Sequence, residues 1–168
     1  MKTLFIAQAL ANRWANQLLY AEICKLSPEQ LTQASAVNYG SMLGIANHVI
    51  LGDRVWLHRF TGQGEPLRSV SGIVYPEFAE LHVAREELDE RIIDFAQGLA
   101  EARLAEILNY TTTSGQDKSQ PLALCVAHFF NHQTHHRGQL HGMLGVLGVS
   151  APDIDLLYFP GAQALWSA

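Results

Sequence analysis

Apolar residues recur with the period of an α-helix in four long stretches of this chain, and Gly, Pro and Ser separate each stretch from the next. Leu4, Ala7, Ala11, Trp14, Leu18 and Ala21 follow one another at spacings of three and four, which places them on one stripe of a helix from about Met1 to Lys25. Ser27-Pro28-Glu29-Gln30 reads as a cap that starts a short helical turn. A second long helix runs from about Ser41 to Phe60 and stops where Thr61-Gly62-Gln63-Gly64-Glu65-Pro66 breaks the pattern. Leu81, Ala84, Leu88, Ile92, Phe95 and Leu99 form the stripe of a third, whose opposite, solvated face carries Glu86, Glu87, Glu90, Arg91 and Asp94. A short helical piece is expected between Gly98 and Leu108. Asn109 to Thr113 and the turn Ser114-Gly115-Gln116-Asp117 then suit a small hairpin at the rim. The fourth long helix begins near Pro121 and extends to about Leu147. Beyond it Leu156, Leu157, Tyr158 and Phe159 are apolar enough to pack back. Four long amphipathic helices with short or medium connections predict an all-α fold, an antiparallel four-helix bundle, as a single domain over residues 1–168.

Composition excludes several functional classes. With 11 Lys+Arg against 16 Asp+Glu, a net charge of −5 disfavours a nucleic-acid partner, because affinity for a phosphate backbone comes from clustered basic side chains. No apolar run reaches the roughly 18 to 20 residues of a membrane span. The start, Met1 to Leu10, resembles a signal peptide only until Asn12 and Arg13 interrupt it, so it is read as the first helix of a cytoplasmic protein. Two cysteines, Cys24 and Cys125, are too few for a disulfide scaffold and are expected to be reduced and buried.

The eight histidines carry the chemistry. His128, His132, His135, His136 and His141 fall in the fourth helix. At 100° per residue His128, His132 and His136 share an arc of about 80°, with Gln139 on the same arc, flanked by Cys125, Phe129, Leu140 and Met143. Neutral imidazole is a common ligand for zinc, and an i, i+4 pair can converge on one ion. One such pair arises by chance in about a third of chains with this histidine content, whereas three in register arise in only about a few per cent. The three cannot all bind one tetrahedral ion, since His128 and His136 lie about 12 Å apart along the axis. A ligand from another helix is required, and His48 is the natural candidate: it sits among Gly44, Ile45, Leu51, Gly52 and Val55, where an unpaired ring is costly to bury. Gly44 and Gly52, one turn before and after it, admit a close approach. The alternative for His48 is a core ring bonded to a backbone carbonyl.

Other metalloenzyme patterns fail. A zincin protease needs Glu directly after the first His, and Gln133 follows His132; a di-iron bundle needs inward Glu-x-x-His motifs, which are absent. A three-His ion with one or two open positions is the ligand set of a catalytic site, and its uncompensated charge acidifies a bound water or thiol.

Asn131-His132-Gln133-Thr134-His135-His136-Arg137-Gly138-Gln139, Asn47-His48, the Asp53-to-Gly62 segment, Asn12-Arg13-Trp14-Ala15-Asn16 and Asp155-Leu156-Leu157-Tyr158-Phe159 together resemble the DinB-like (YfiT-like) metalloenzymes over nearly the whole chain. The resemblance implies an up-down-down-up four-helix bundle, often a homodimer, with a divalent metal held by one histidine of the second long helix and a His-x-x-x-His of the fourth. By position these are His48, His132 and His136. Some relatives look like transferases that attach low-molecular-weight thiols to electrophiles, and others are similar to metal-dependent hydrolases. Zinc is the default metal for three imidazoles, with nickel, iron and manganese accepting related sets.

Three functions are compatible with these residues: an enzyme activating a thiol or water against a small molecule, a non-catalytic metal or small-ligand module, and a bundle whose histidines are structural. His128 either lines the open metal position or packs beside it, His135 faces a neighbouring helix, and Gln139 is placed to hydrogen-bond a ligand ring. Arg137 and His141 are expected to point outward to surface or dimer contacts. Gly138, Gly142 and Gly145 suit close helix packing, Trp14, Trp56 and Phe129 suit the core, and Asp53 and Arg59 can pair along their helix.

Overall fold

The computed structural model of the protein describes residues 1–164 and is mostly helical. Residues 165–168 of the expected single domain lie outside the described part. The elements are α1 (Lys2–Ile23), α2 (Pro28–Thr32), α3 (Met42–Thr61), α4 (Phe78–Gly98), β1 (Ile107–Thr111), β2 (Asp117–Pro121) and α5 (Leu122–Val146), with 3-10 turns at Glu101–Ala105 and Leu156–Tyr158. The predicted boundaries therefore lie within a few residues of the observed ones.

Local chemistry explains the ends. Ser27 caps α2 through a reciprocal pair of bonds, its hydroxyl accepting from the Gln30 amide while its own amide donates to the Gln30 side chain. Ser41 caps α3 by accepting from the Gly44 amide at 3.1 Å, and Gly62 ends it in the left-handed conformation that a residue without a β-carbon adopts freely. The hairpin pairs Ile107 with Pro121 and Thr111 with Asp117 in antiparallel register.

The long helices pack in a closed cycle: α1 against α4 and α5, and α3 against the same two. Their shared core contains Leu19, Ile23, Ile45, Ile50, Phe60, Leu81, Leu88, Ile92, Phe129 and Leu144. The face α1 buries is rotated from the expected stripe. Leu4, Leu18 and Ala21 are exposed, whereas Phe5, Ala9, Asn12, Asn16, Leu19 and Ile23 are buried. The reason is polar: Asn12 and Asn16 face inward because a buried charge needs them there.

That charge network joins all four long helices. Arg85 donates to Asp53 at 2.5 Å and lies 3.0 Å from Asp89. Asn12 and Asn16 donate to Asp89 at 3.0 and 3.1 Å, and Arg137 donates to the side-chain oxygens of both asparagines. The four charges sum to zero, and amide relays hand the Arg137 charge on to Asp89. Burial pushes Asp53 up to about 6 although Arg85 pulls it down.

Several side-chain expectations are corrected by this arrangement. Asp53 pairs with Arg85 and not with Arg59; Arg59 lies over the rings of Trp56 and Tyr110 and donates to the Thr111 carbonyl. Arg137 points into the network instead of outward, and His141 bonds the Pro152 carbonyl. Cys125 is buried as expected but Cys24 is exposed, with its sulfur 3.3 Å from His82 Nδ1. Among the described residues nothing lies within 4 Å of a β-carbon added at Gly138, Gly142 or Gly145, so these glycines serve no close helix packing there. Of the tail, Leu156, Leu157 and Tyr158 stay exposed, and Phe159 packs on the partly buried Trp14.

Candidate metal centre

The centre of α3 and the middle of α5 meet where Gly52 faces His132. A β-carbon at position 52 would come within 3.0 Å of His132 Cε1, so the glycine is what lets the ring lie against the helix. About two turns toward the start of α3, Gly44 admits the Tyr39 carbonyl, which a β-carbon would meet at 2.1 Å. Both glycines flanking His48 thus serve close approaches, as their spacing suggests.

His48, His132 and His136 converge, with one ring nitrogen from each lying within 4.8 Å of the others. His48 Nε2 is 3.1 Å from His132 Nε2. Two ligand atoms on a tetrahedral zinc with bonds of about 2.0–2.1 Å are separated by about 3.3 Å, so this edge has the right size.

The far nitrogens of two rings are held by the protein. His48 Nδ1 donates to the Val70 carbonyl at 2.6 Å, and His136 Nδ1 donates to Gln139 Oε1 at 2.7 Å. Such contacts fix the tautomer and leave the Nε2 lone pair free for an ion. Further along the same loop Asn47 holds the backbone, its side chain accepting from the Val74 and Tyr75 amides and donating to the Tyr75 carbonyl. The residue before His48 therefore ties down the loop whose Val70 carbonyl bonds the His48 ring. His132 Nδ1, on the other side of the ring from the Nε2 that faces His48, is buried with no hydrogen-bond partner among the described residues.

The electrostatics favour neutral rings. Burial, with the neighbouring imidazoles adding to it, pushes His132 down to about 3; burial also lowers His48 and His136. Neutral imidazole is the form that binds metal. The residues present fit a divalent ion, and among the described residues no carboxylate joins the three histidines.

The other candidates fall around this trio. His128 is exposed, sits edge-on to Trp56 at 5.2 Å and is 6.1 Å from the His132 ring, outside the ligand group. His135 is exposed and lies edge-on to His136 at 4.8 Å. Gln139 bonds the outer face of the cluster through His136 Nδ1. Tyr39 escaped the sequence reading: its ring stacks on His48 at 3.8 Å and lies edge-on to His136 at 5.8 Å. Two neighbouring glycines, Gly40 and Gly44, are the only trace of it in the sequence. Val70 left no trace, because a backbone carbonyl has no residue type.

The chain matches the DinB family over residues 2–165. It is 26% identical over 152 residues to Protein DinB of Bacillus subtilis (strain 168), a match covering 86% of each chain. The crystal structure of a DinB-like protein from Bacillus cereus ATCC 10987 superposes with a TM-score of 0.60 at 18% identity, over 83% of this chain and 89% of that one. With a match over nearly its whole length, and a three-histidine cluster compatible with metal binding, this chain belongs to the DinB family.

Proposed function

We propose that this protein is a divalent-metal-dependent enzyme in which His48, His132 and His136 hold the ion, zinc by default, and a thiol or water nucleophile attacks a small electrophilic substrate. The observation that carries the reading is the convergence of three imidazole nitrogens with the outer nitrogens of His48 and His136 engaged by Val70 and Gln139. When bound, the ion supplies a Lewis acid that favours the deprotonated nucleophile.

The chain's own residues orient the site and keep it neutral. Asp53, which follows Gly52, is held by Arg85 and is no base for the site. With no carboxylate in the three-histidine group among the described residues, a thiol is the better nucleophile, because its ordinary pKa of about 8.5 lies far nearer neutrality than that of water. The proposal includes a low-molecular-weight thiol as co-substrate, a single domain, and a cytoplasmic homodimer with up-down-down-up helices. The acidic balance speaks against a nucleic-acid partner, and no described helix is long and apolar enough to cross a membrane.

Elemental analysis of untagged protein, purified without a metal column, tests it beside His48→Ala and His132→Ala. The expected result is about one divalent metal per chain, lost in both variants, and thiol transfer to a panel of electrophiles by the wild type alone. Wild-type protein that neither carries nor takes up zinc, nickel, iron or manganese refutes it.

A further inference from the structure

We infer that Tyr39 is a positioning residue of the metal centre, holding the His48 ring by its face and walling the side of the site between His48 and His136; the inference rests on the metal reading above. Two lines meet at this residue. The first is contact. The Tyr39 ring is nearly parallel to His48, 14° between planes at 3.8 Å, and its edge relation to His136 brings it to a second ligand. His48 is then gripped twice, at Nδ1 by Val70 and on its face by Tyr39, which leaves its Nε2 with one direction to point.

The second line is the backbone. Tyr39 has φ 67, and among the described residues it is the only one other than glycine with a positive φ. A bulky side chain in that region is unfavourable and persists where the surroundings demand it, most often at functional sites. Here the surroundings are specific. Gly40 follows with φ 75, the Gly40 carbonyl accepts from Ser35 at 2.8 Å, and the Tyr39 carbonyl accepts from Ser41 at 3.0 Å beside the bare Cα of Gly44. A glycine at position 39 would satisfy this turn without strain. The turn therefore does not account for the tyrosine, whereas the stack on His48 does. Tyr39 is also 40% exposed, so burial in the core does not explain it either.

Cobalt(II) binding to metal-free full-length protein tests this, with affinity measured by competition against a chromophoric chelator and the ligand field read from the visible absorption. Tyr39→Gly is expected to lower cobalt affinity by about tenfold or more, as loss of an outer contact to a ligand does, and to alter the visible bands. Its metal-free melting temperature should stay equal to the wild type or rise, since the strain is gone. Tyr39→Phe should restore affinity and spectrum, because the ring and not the hydroxyl makes the contact. A Tyr39→Gly protein with wild-type affinity and spectrum overturns this inference alone. Wild-type protein that takes up no cobalt overturns the metal reading and this inference with it.

Discussion

Gly52 and His132 stand in a relation that a single carbon atom would disturb: a β-carbon on the helix would lie 3.0 Å from the imidazole Cε1. Gly52→Ala should therefore act on metal binding more than on the fold. Alanine gains about 1 kcal/mol of helix propensity over glycine, while the His132 ring must give by a few tenths of an ångström. Metal-free stability in urea is expected to be unchanged or slightly higher, and zinc affinity lower by about tenfold. Wild-type zinc affinity in the variant would show that the close approach has no role in the site.

Metal occupancy should be visible as stability. An ion that binds only the folded chain at a free concentration of 100 times its Kd stabilises by about 2.7 kcal/mol. For a chain of this size that corresponds to a rise in Tm of roughly 5 to 10 °C. Differential scanning fluorimetry with and without a chelator should show the shift in the wild type and its absence in His48→Ala and His136→Ala.

The lowered histidine pKa values set a pH dependence with a definite sign. His132 is held at about 3 in the folded chain, and an unfolded histidine titrates near 6.5. Between those values the unfolded chain binds the extra proton, so the contribution of this ring to stability is complete above pH 6.5 and is lost as pH falls toward 3. Metal-free His132→Gln should accordingly show a shallower loss of stability than the wild type between pH 6.5 and 4. Calorimetry of zinc binding at pH 7 in buffers of different ionisation enthalpy should detect no proton release from the rings, which are already neutral, so that any release reports ionisation of a water on the ion.

The charge network makes a separate prediction. Arg85→Met removes the buried cation that faces both Asp53 and Asp89. Leaving buried charge uncompensated costs about 3–5 kcal/mol, and urea denaturation should report a loss of that size. Asp53→Asn combined with Asp89→Asn in the Arg85→Met background should recover part of it, since neutral partners no longer demand the guanidinium.

Much of this architecture was legible in the chain. Helical periodicity, the break at Gly62 and the helix start at Pro121 located the long helices, and Ser27 located a cap, because these signals depend on neighbours within a turn. The spacing of His132 and His136, with His48 in an apolar stretch, likewise pointed to a cross-helix site that the fold assembles.

What required the tertiary structure was whatever depends on contacts distant in sequence. The face of α1 could not be read from apolar residues alone, because Asn12 and Asn16 are buried on account of Asp89, 77 and 73 residues away. Arg137 read as a surface charge for the same reason. His128 shares an arc of the fourth helix with His132 and His136, and only packing set it against Trp56, outside the three-histidine cluster. The Val70 carbonyl and the Tyr39 ring became part of the site through the paths of two loops. Local sequence determines which residues can be helical and which can bind an ion; the choice of which charges are neutralised inside, and which rings meet, is made by the packing of distant segments, since only there are the costs of burial and the gains of pairing incurred together.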